Sequence, residues 1–153
     1  MITDEMILAE LEQGRQEALQ KFPHAAYRLT KVRFEINDRI TYMGLCRWHD
    51  LRIVISRVFF KESLENLGDL RNTIRHEFAH MVSPPEEGHG KIWKKNAVIL
   101  GAAPRRCGNL TVAAVTSYEG KCCNCGKTIR LTKVRYNKWR RGDGMYLCSR
   151  SCR

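Results

Sequence analysis

Three of the chain's five histidines, His76, His80 and His89, fall within fourteen residues, and Glu77 follows the first of them directly. On a helix, His76 and His80 stand about 40° apart around the axis and one turn apart along it, so both imidazoles reach one metal ion. Glu77 is turned about 100° from His76, too far round to join easily as a ligand but placed to meet a water on that ion. Zinc lowers the pKa of such a water to about 7, and a free carboxylate can collect its proton and deliver it to a leaving amine. Glu77 is therefore the expected general base. A catalytic zinc takes three protein ligands and keeps one position open, and His89 is the expected third ligand. It lies nine residues past His80, beyond Pro84, Pro85 and the Glu86–Gly88 stretch, where a turning chain can carry it back. A chain of this composition meets His-Glu-x-x-His by chance about once in a hundred, which favours chemistry over accident.

A second set of ligand types sits near the end of the sequence. Of seven cysteines, five lie in the last 32 residues, including Cys122-x2-Cys125 and Cys148-x3-Cys152 with 22 residues between the pairs. An odd count clustered in this way argues against a disulfide framework and for metal. Cys122, Cys125, Cys148 and Cys152 can complete a four-thiolate zinc site, structural because no position stays open; Cys123 could replace Cys122. Few large apolar side chains surround them, so metal would supply the folding energy that a core cannot. Cys46 and Cys107 read as buried small residues rather than ligands.

Around those cysteines, cations alternate with aromatic residues: Lys121, Lys127, Arg130, Lys133, Arg135, Lys138, Arg140 and Arg141 with Tyr118, Tyr136, Trp139 and Tyr146. Cations track a phosphate backbone, and aromatic faces stack on unpaired bases. The expected nucleic-acid contacts are Arg130, Lys133, Arg135, Tyr136, Lys138, Trp139, Arg140 and Arg141. The expected partner is DNA, single-stranded or with unpaired regions.

These residues need elements to hold them. Thr3 to about Phe22 reads as an amphipathic helix stopped by Pro23. Alternation in Val32–Ile36 and in Leu51–Ile55, with a weaker segment from Thr41 to Trp48, predicts a small antiparallel sheet. A short helical stretch is expected over Val58 to Asn66. A helix capped by Asp69 and ended by Pro84-Pro85 carries the histidine pair, with Leu70, Ile74, Phe78 and Met81 on its apolar stripe. The next helix, up to Gly101, should turn Ile92, Trp93, Asn96, Ile99 and Leu100 toward one face. From Tyr118 onward, turn signals at Asn124–Gly126 and Gly142–Gly144 predict short β hairpins. The fold class is thus α+β, with an N-terminal helix, an active-site helix and a C-terminal β unit of zinc-ribbon type.

At 153 residues with 43% hydrophobic content, the chain can bury a real core. Its net charge of +11 is uneven: residues 1–104 carry 15 Lys/Arg against 14 Asp/Glu, whereas residues 105–153 carry 12 against 2. That asymmetry assigns a polyanion partner to the C-terminal third. The expected organisation is a domain over 1–104, a connector over 105–117 and a basic unit over 118–153. The acidic, amphipathic N-terminus is unlike a signal peptide, and no apolar run is long enough to cross a bilayer. A monomer, cytoplasmic or nucleoid-associated, with no membrane partner, is the expectation.

"HEFAH" at 76–80, "EGHGKIW" at 87–93, the strand-forming segments before them and the basic, cysteine-bearing end together resemble the SprT-like zinc metalloproteases, the family that includes the Spartan DNA–protein crosslink proteases. The resemblance implies catalytic zinc on His76, His80 and His89 with Glu77 as base, a zinc ribbon at the end, and DNA-activated cleavage of proteins bound or crosslinked to DNA. The x3 spacing of the second cysteine pair departs from the x2 more usual in such ribbons. The rival reading is a non-catalytic nucleic-acid-binding protein whose histidine-bound metal is structural; a metal-dependent nuclease is a third.

Overall fold

Thr3 starts the first helix, α1 (Asp4–Lys21): its side-chain oxygen accepts from the Met6 N–H at 3.3 Å, and Asp4 and Glu5 occupy the first turn, where backbone dipoles favour negative charge. Pro23 cannot extend it. The chain passes through a 3-10 turn (Pro23–Ala25) into α2 (Ala26–Lys31), a short helix that sequence periodicity did not announce. In the computed structural model, which describes residues 1–105, 118–149 and 152, the chain falls into two units, Met1–Val112 and Ala113–Arg153.

Three strands follow α2: β1 (Arg33–Asn37), β2 (Gly44–Arg47) and β3 (Arg52–Ser56). They occupy the expected segments, but their sheet is mixed, not antiparallel. Its order is β1-β3-β2, with β3 antiparallel to β2 and parallel to β1. Alternation identifies a strand's faces without naming its neighbour, and β3 is not a simple alternating strand. Ile53, Val54, Ile55 and Ser56 are buried in succession, as in a central strand covered on both faces. β2 is left at an edge.

Two 3-10 turns (Arg57–Phe59 and Leu64–Asn66) lead to α3 (Leu67–Val82). It begins before Asp69, which lies in the first turn rather than capping it. Leu70, Ile74, Phe78 and Met81 are buried against Ile7, Leu11 and Ala18 of α1, Ile53 and Ile55 of β3, and Trp93, Ala97 and Leu100 of α4 (Lys91–Leu100). Burying one such large apolar side chain contributes about 1.5–3 kcal/mol. Outside this core, Arg71 pairs with Glu10 at 2.7 Å and Arg75 with Glu17 at 3.1 Å, tying α3 to α1. α4 ends at Gly101, whose φ of 78° is the left-handed conformation that closes the last turn. Its buried face is Trp93, Asn96, Ala97 and Leu100; Ile92 and Ile99, expected to face inward, are 48% and 40% exposed.

In the second unit, β4 (Tyr118–Lys121) and β5 (Thr128–Leu131) form an antiparallel hairpin, as the turn at Asn124–Gly126 predicts. The rest of the unit departs from the all-β expectation. Thr132 accepts from the Arg135 N–H and opens a helix, α5 (Lys133–Arg140), which Gly142 follows at a φ of 78°. The N-cap threonine and the three-residue spacing of Tyr136 and Trp139 were the missed helical signals. Most of the expected connector, and Cys107 with it, lies outside the described residues. Among the described residues no helix is long and apolar enough to cross a membrane.

Candidate active site

The buried face of α3 fixes the helix, and that leaves His76 and His80 half-buried at the edge of the core. Beyond α3 the chain turns through Pro84–Glu87. The Glu87 carbonyl accepts from the Gly90 N–H at 2.9 Å, and its carboxylate accepts from the Ile92 N–H at 2.8 Å, capping α4. Gly88 adopts a φ of 56° in this turn. His89 is thereby returned to α3: its Nε2 lies 3.1 Å from that of His76 and 3.1 Å from that of His80, which are 3.3 Å from each other.

That triangle fits zinc. Nitrogens about 2.0–2.1 Å from a tetrahedral ion stand about 3.3–3.4 Å apart. Three converging ring nitrogens cannot all pair with one another, because each Nε2 carries either one N–H or one lone pair, and one such bond leaves the third nitrogen over. A shared cation can satisfy all three. Burial, reinforced by the neighbouring histidines, lowers His76 and His80 to about 4, so both rings are neutral and offer lone pairs at neutral pH.

Glu77 is 5% exposed and lines one cleft of about 750 Å³ together with the three histidines. It leans on edge strand β2. A Cβ at Gly44 would stand 2.7 Å from its Oε1 and 2.8 Å from Thr73 Cγ2, so this approach needs glycine there. Burial raises the Glu77 carboxyl to about 8, opposed by a hydrogen bond from the Cys46 backbone N–H. A divalent cation nearby acts in the same sense as that N–H, favouring the carboxylate. Cys46 lines the cleft beside it as an unreactive thiol, since burial and the Glu77 charge both push it up.

Sequence reasoning missed the support of this site. Ser83 Oγ donates to the Ala79 carbonyl at 2.6 Å and accepts from Asn96 Nδ2 at 2.9 Å, while Trp48 Nε1 donates to the Ser83 carbonyl at 3.0 Å. One serine thus joins the end of α3 to α4 and to the turn between β2 and β3. A polar residue on an otherwise apolar helix face, Asn96, was the available signal. Arg105, also unanticipated, belongs to the cleft lining.

In the second unit, the Sγ atoms of Cys122, Cys125, Cys148 and Cys152 all lie within 4.8 Å of one another, with Cys122–Cys152 and Cys125–Cys148 at 3.7 Å. Sulfurs about 2.3 Å from a tetrahedral zinc stand about 3.8 Å apart, so these four fit. Cys122 belongs to the group; Cys123 is exposed and outside it. Backbone N–H groups of Cys125 and Asn124, and then of Cys148, pull the Cys122 thiol down to about 6, toward the ligating thiolate.

The expected nucleic-acid contacts divide in two. Tyr136 stacks on Tyr118 at 4.8 Å and lies 5.9 Å from Trp139, and both α5 aromatics are half-buried. Arg140 lies over Tyr136 and Arg135 over Tyr146. Lys133 and Lys138 are exposed, and Lys138 is about 160° around the helix from Tyr136. Arg141 pairs with Asp143 at 3.1 Å, and Arg130 sits across the hairpin from Glu119. Tyr136 is thus stacked within the unit, and Trp139 meets it at a tilt of 32°.

A family model described as the SprT-like family matches residues 11–119. The chain belongs to the SprT-like family. No curated protein and no solved structure matches it. The SprT-like match covers both histidine-bearing elements, in a family that is generally of zinc-metalloprotease type, and it ends before the cysteine cluster.

Proposed function

We propose that this SprT-like protein is a zinc-dependent endopeptidase that cuts proteins held on DNA. The observation that carries the reading is the convergence of three imidazole Nε2 atoms in a cleft that also holds the buried carboxyl group of Glu77. His76, His80 and His89 would hold zinc, which when bound supplies a Lewis acid that polarises a carbonyl and acidifies water. Glu77 then has a proton to move: its carboxylate, held by the Cys46 N–H and kept in place by Gly44, takes a proton from water in the cleft and delivers it to the leaving nitrogen.

The lining favours a polypeptide over a nucleic-acid substrate. Met43, Leu45, Trp48 and Phe59 contribute apolar surface, and Arg105 is the only lysine or arginine among the described lining residues. A phosphodiester backbone calls for several cations or metal ions. Those cations belong instead to the second unit, where Lys133 and Lys138 would meet phosphates and the four cysteines would hold a structural zinc. Binding enzyme and substrate to one DNA raises their effective concentration, so cleavage need not depend on reading the substrate's sequence.

Zinc-loaded protein should be incubated with a DNA-binding protein substrate, with and without DNA, and all products identified by mass spectrometry. New peptide termini, formed faster with DNA and abolished by a chelator, are expected. Cut DNA with intact protein would make the enzyme a nuclease. Intact DNA and intact protein would leave a binding protein with a structural metal.

A further inference from the structure

We infer that Trp93 is a positioning residue of the histidine centre: its indole, rather than a set of hydrogen-bond acceptors, holds the His76 and His80 imidazoles in ligating orientation and favours their metal-loaded form. Trp93 is 0% exposed and touches all three rings. Its centroid is 4.6 Å from that of His76, 5.2 Å from His80 and 4.6 Å from His89; the His80 ring is stacked on it at 30°, and the other two meet it edge-on at 62° and 78°. It stands in the first turn of α4, four residues after His89, so one helix start sets both the third ligand and the surface against which all three pack.

Metal-binding histidines ordinarily donate their second ring N–H to a carboxylate or carbonyl, which fixes the ring's orientation. Among the described residues, the ring nitrogens of His76 and His80 have no polar partner outside the Nε2 triangle. Packing against Trp93 supplies the missing constraint. The indole is also an expensive filler, because its buried Nε1–H finds no partner among the described residues, a penalty that phenylalanine or leucine would not carry. What the indole adds is an electron-rich face. Imidazoles bound to a divalent cation carry part of its charge, and indole is the aromatic ring that best stabilises a cation.

The test compares Trp93→Phe with Trp93→Leu in the full chain. The readouts are zinc affinity at the histidine centre, from chelator competition, and the thermal midpoint of the metal-free protein. If Trp93 positions the rings, leucine weakens zinc binding about 10–100-fold and phenylalanine recovers most of it, with similar metal-free midpoints in the two variants. Affinities within twofold of wild type in both variants would overturn the inference. So would losses that follow the drop in metal-free midpoint regardless of aromaticity. A second measurement needs no variant. In metal-free wild type, the carbon-bound protons of His76 and His80 should each give one resonance displaced by the indole ring current, and averaged, undisplaced resonances would contradict the account.

Discussion

The two ligand clusters are built in opposite ways. The histidines sit on elements fixed by a core that includes Leu11, Leu29, Ile53, Phe60, Phe78 and Leu100, all fully buried. Around the cysteines, the buried residues among those described in that unit are Gly120, Cys122 and Leu131. In the first unit the fold places the site. In the second, the site must place the fold, because so little apolar burial cannot offset the entropy of ordering a hairpin and a helix.

The largest expected effect separates the two directly. Cys125→Ser together with Cys148→Ser should unfold β4, β5 and α5, since metal binding in small zinc domains is worth about 10–16 kcal/mol of folding free energy. The NMR amide signals of α3 should be unchanged. His89→Ala should instead reduce zinc from two ions per chain to about one and leave both units folded. A hairpin that persists without its cysteines, or an α3 that melts without His89, would break the comparison.

A smaller effect probes how tightly the first unit holds its base. Gly44→Ala drives a methyl group into Glu77 and Thr73. It should destabilise this unit by about 1–3 kcal/mol, the usual penalty of overpacking, and displace the carboxylate. Zinc content should be unchanged while peptide cleavage falls at least tenfold. Wild-type activity in this variant would show that Glu77 does not need its seat on β2.

The metal-free protein should also show an unusual pH profile. His76 and His80, lowered to about 4 when folded, are charged first in the unfolded chain, so stability is lost as pH falls from their ordinary 6.5 toward 4. Glu77, raised to about 8, contributes stability that is fully present below its ordinary 4.5 and lost as pH rises through 8. Two histidines outweigh one carboxylate below 6.5, and the carboxylate acts alone above it. The thermal midpoint of the first unit, measured in chelator, should therefore peak near pH 6.5. A midpoint that climbs steadily to pH 9 would contradict these environments.

The smallest effect concerns the basic face. Lys133→Ala with Lys138→Ala should reduce the salt slope of duplex binding by about 1.8, if each lysine meets one phosphate. Because Tyr136 stacks on Tyr118 and both Tyr136 and Trp139 are half-buried within the unit, single strands should gain no advantage over duplex. Tighter binding to unpaired DNA, lost on Tyr136→Leu, would restore the stacking role that the sequence suggested.

What could be read in advance depended on distance along the chain. The meeting of His76, His80 and His89 was legible because a helical turn and a proline-bounded loop set it locally, and the four cysteines were legible because each pair spans one turn. The α+β class followed from periodicity. The pairing of β1 with β3 was not legible, since β2 intervenes in sequence and alternation does not encode direction. Nor was the Ser83–Asn96–Trp48 network, or the seat of Glu77 on Gly44, because each joins residues that only tertiary packing brings together. α5 was hidden by its glycine-rich surroundings and by cysteines that suggested β structure throughout.

The most direct measurement is to replace Glu77 by glutamine and follow zinc content and peptide cleavage on the same sample. Two zinc ions per chain, unchanged DNA binding and at least a hundredfold loss of cleavage are expected, because the amide keeps the shape of the carboxylate and cannot accept the proton. Cleavage at the wild-type rate from a fully zinc-loaded Glu77→Gln protein would contradict the central claim.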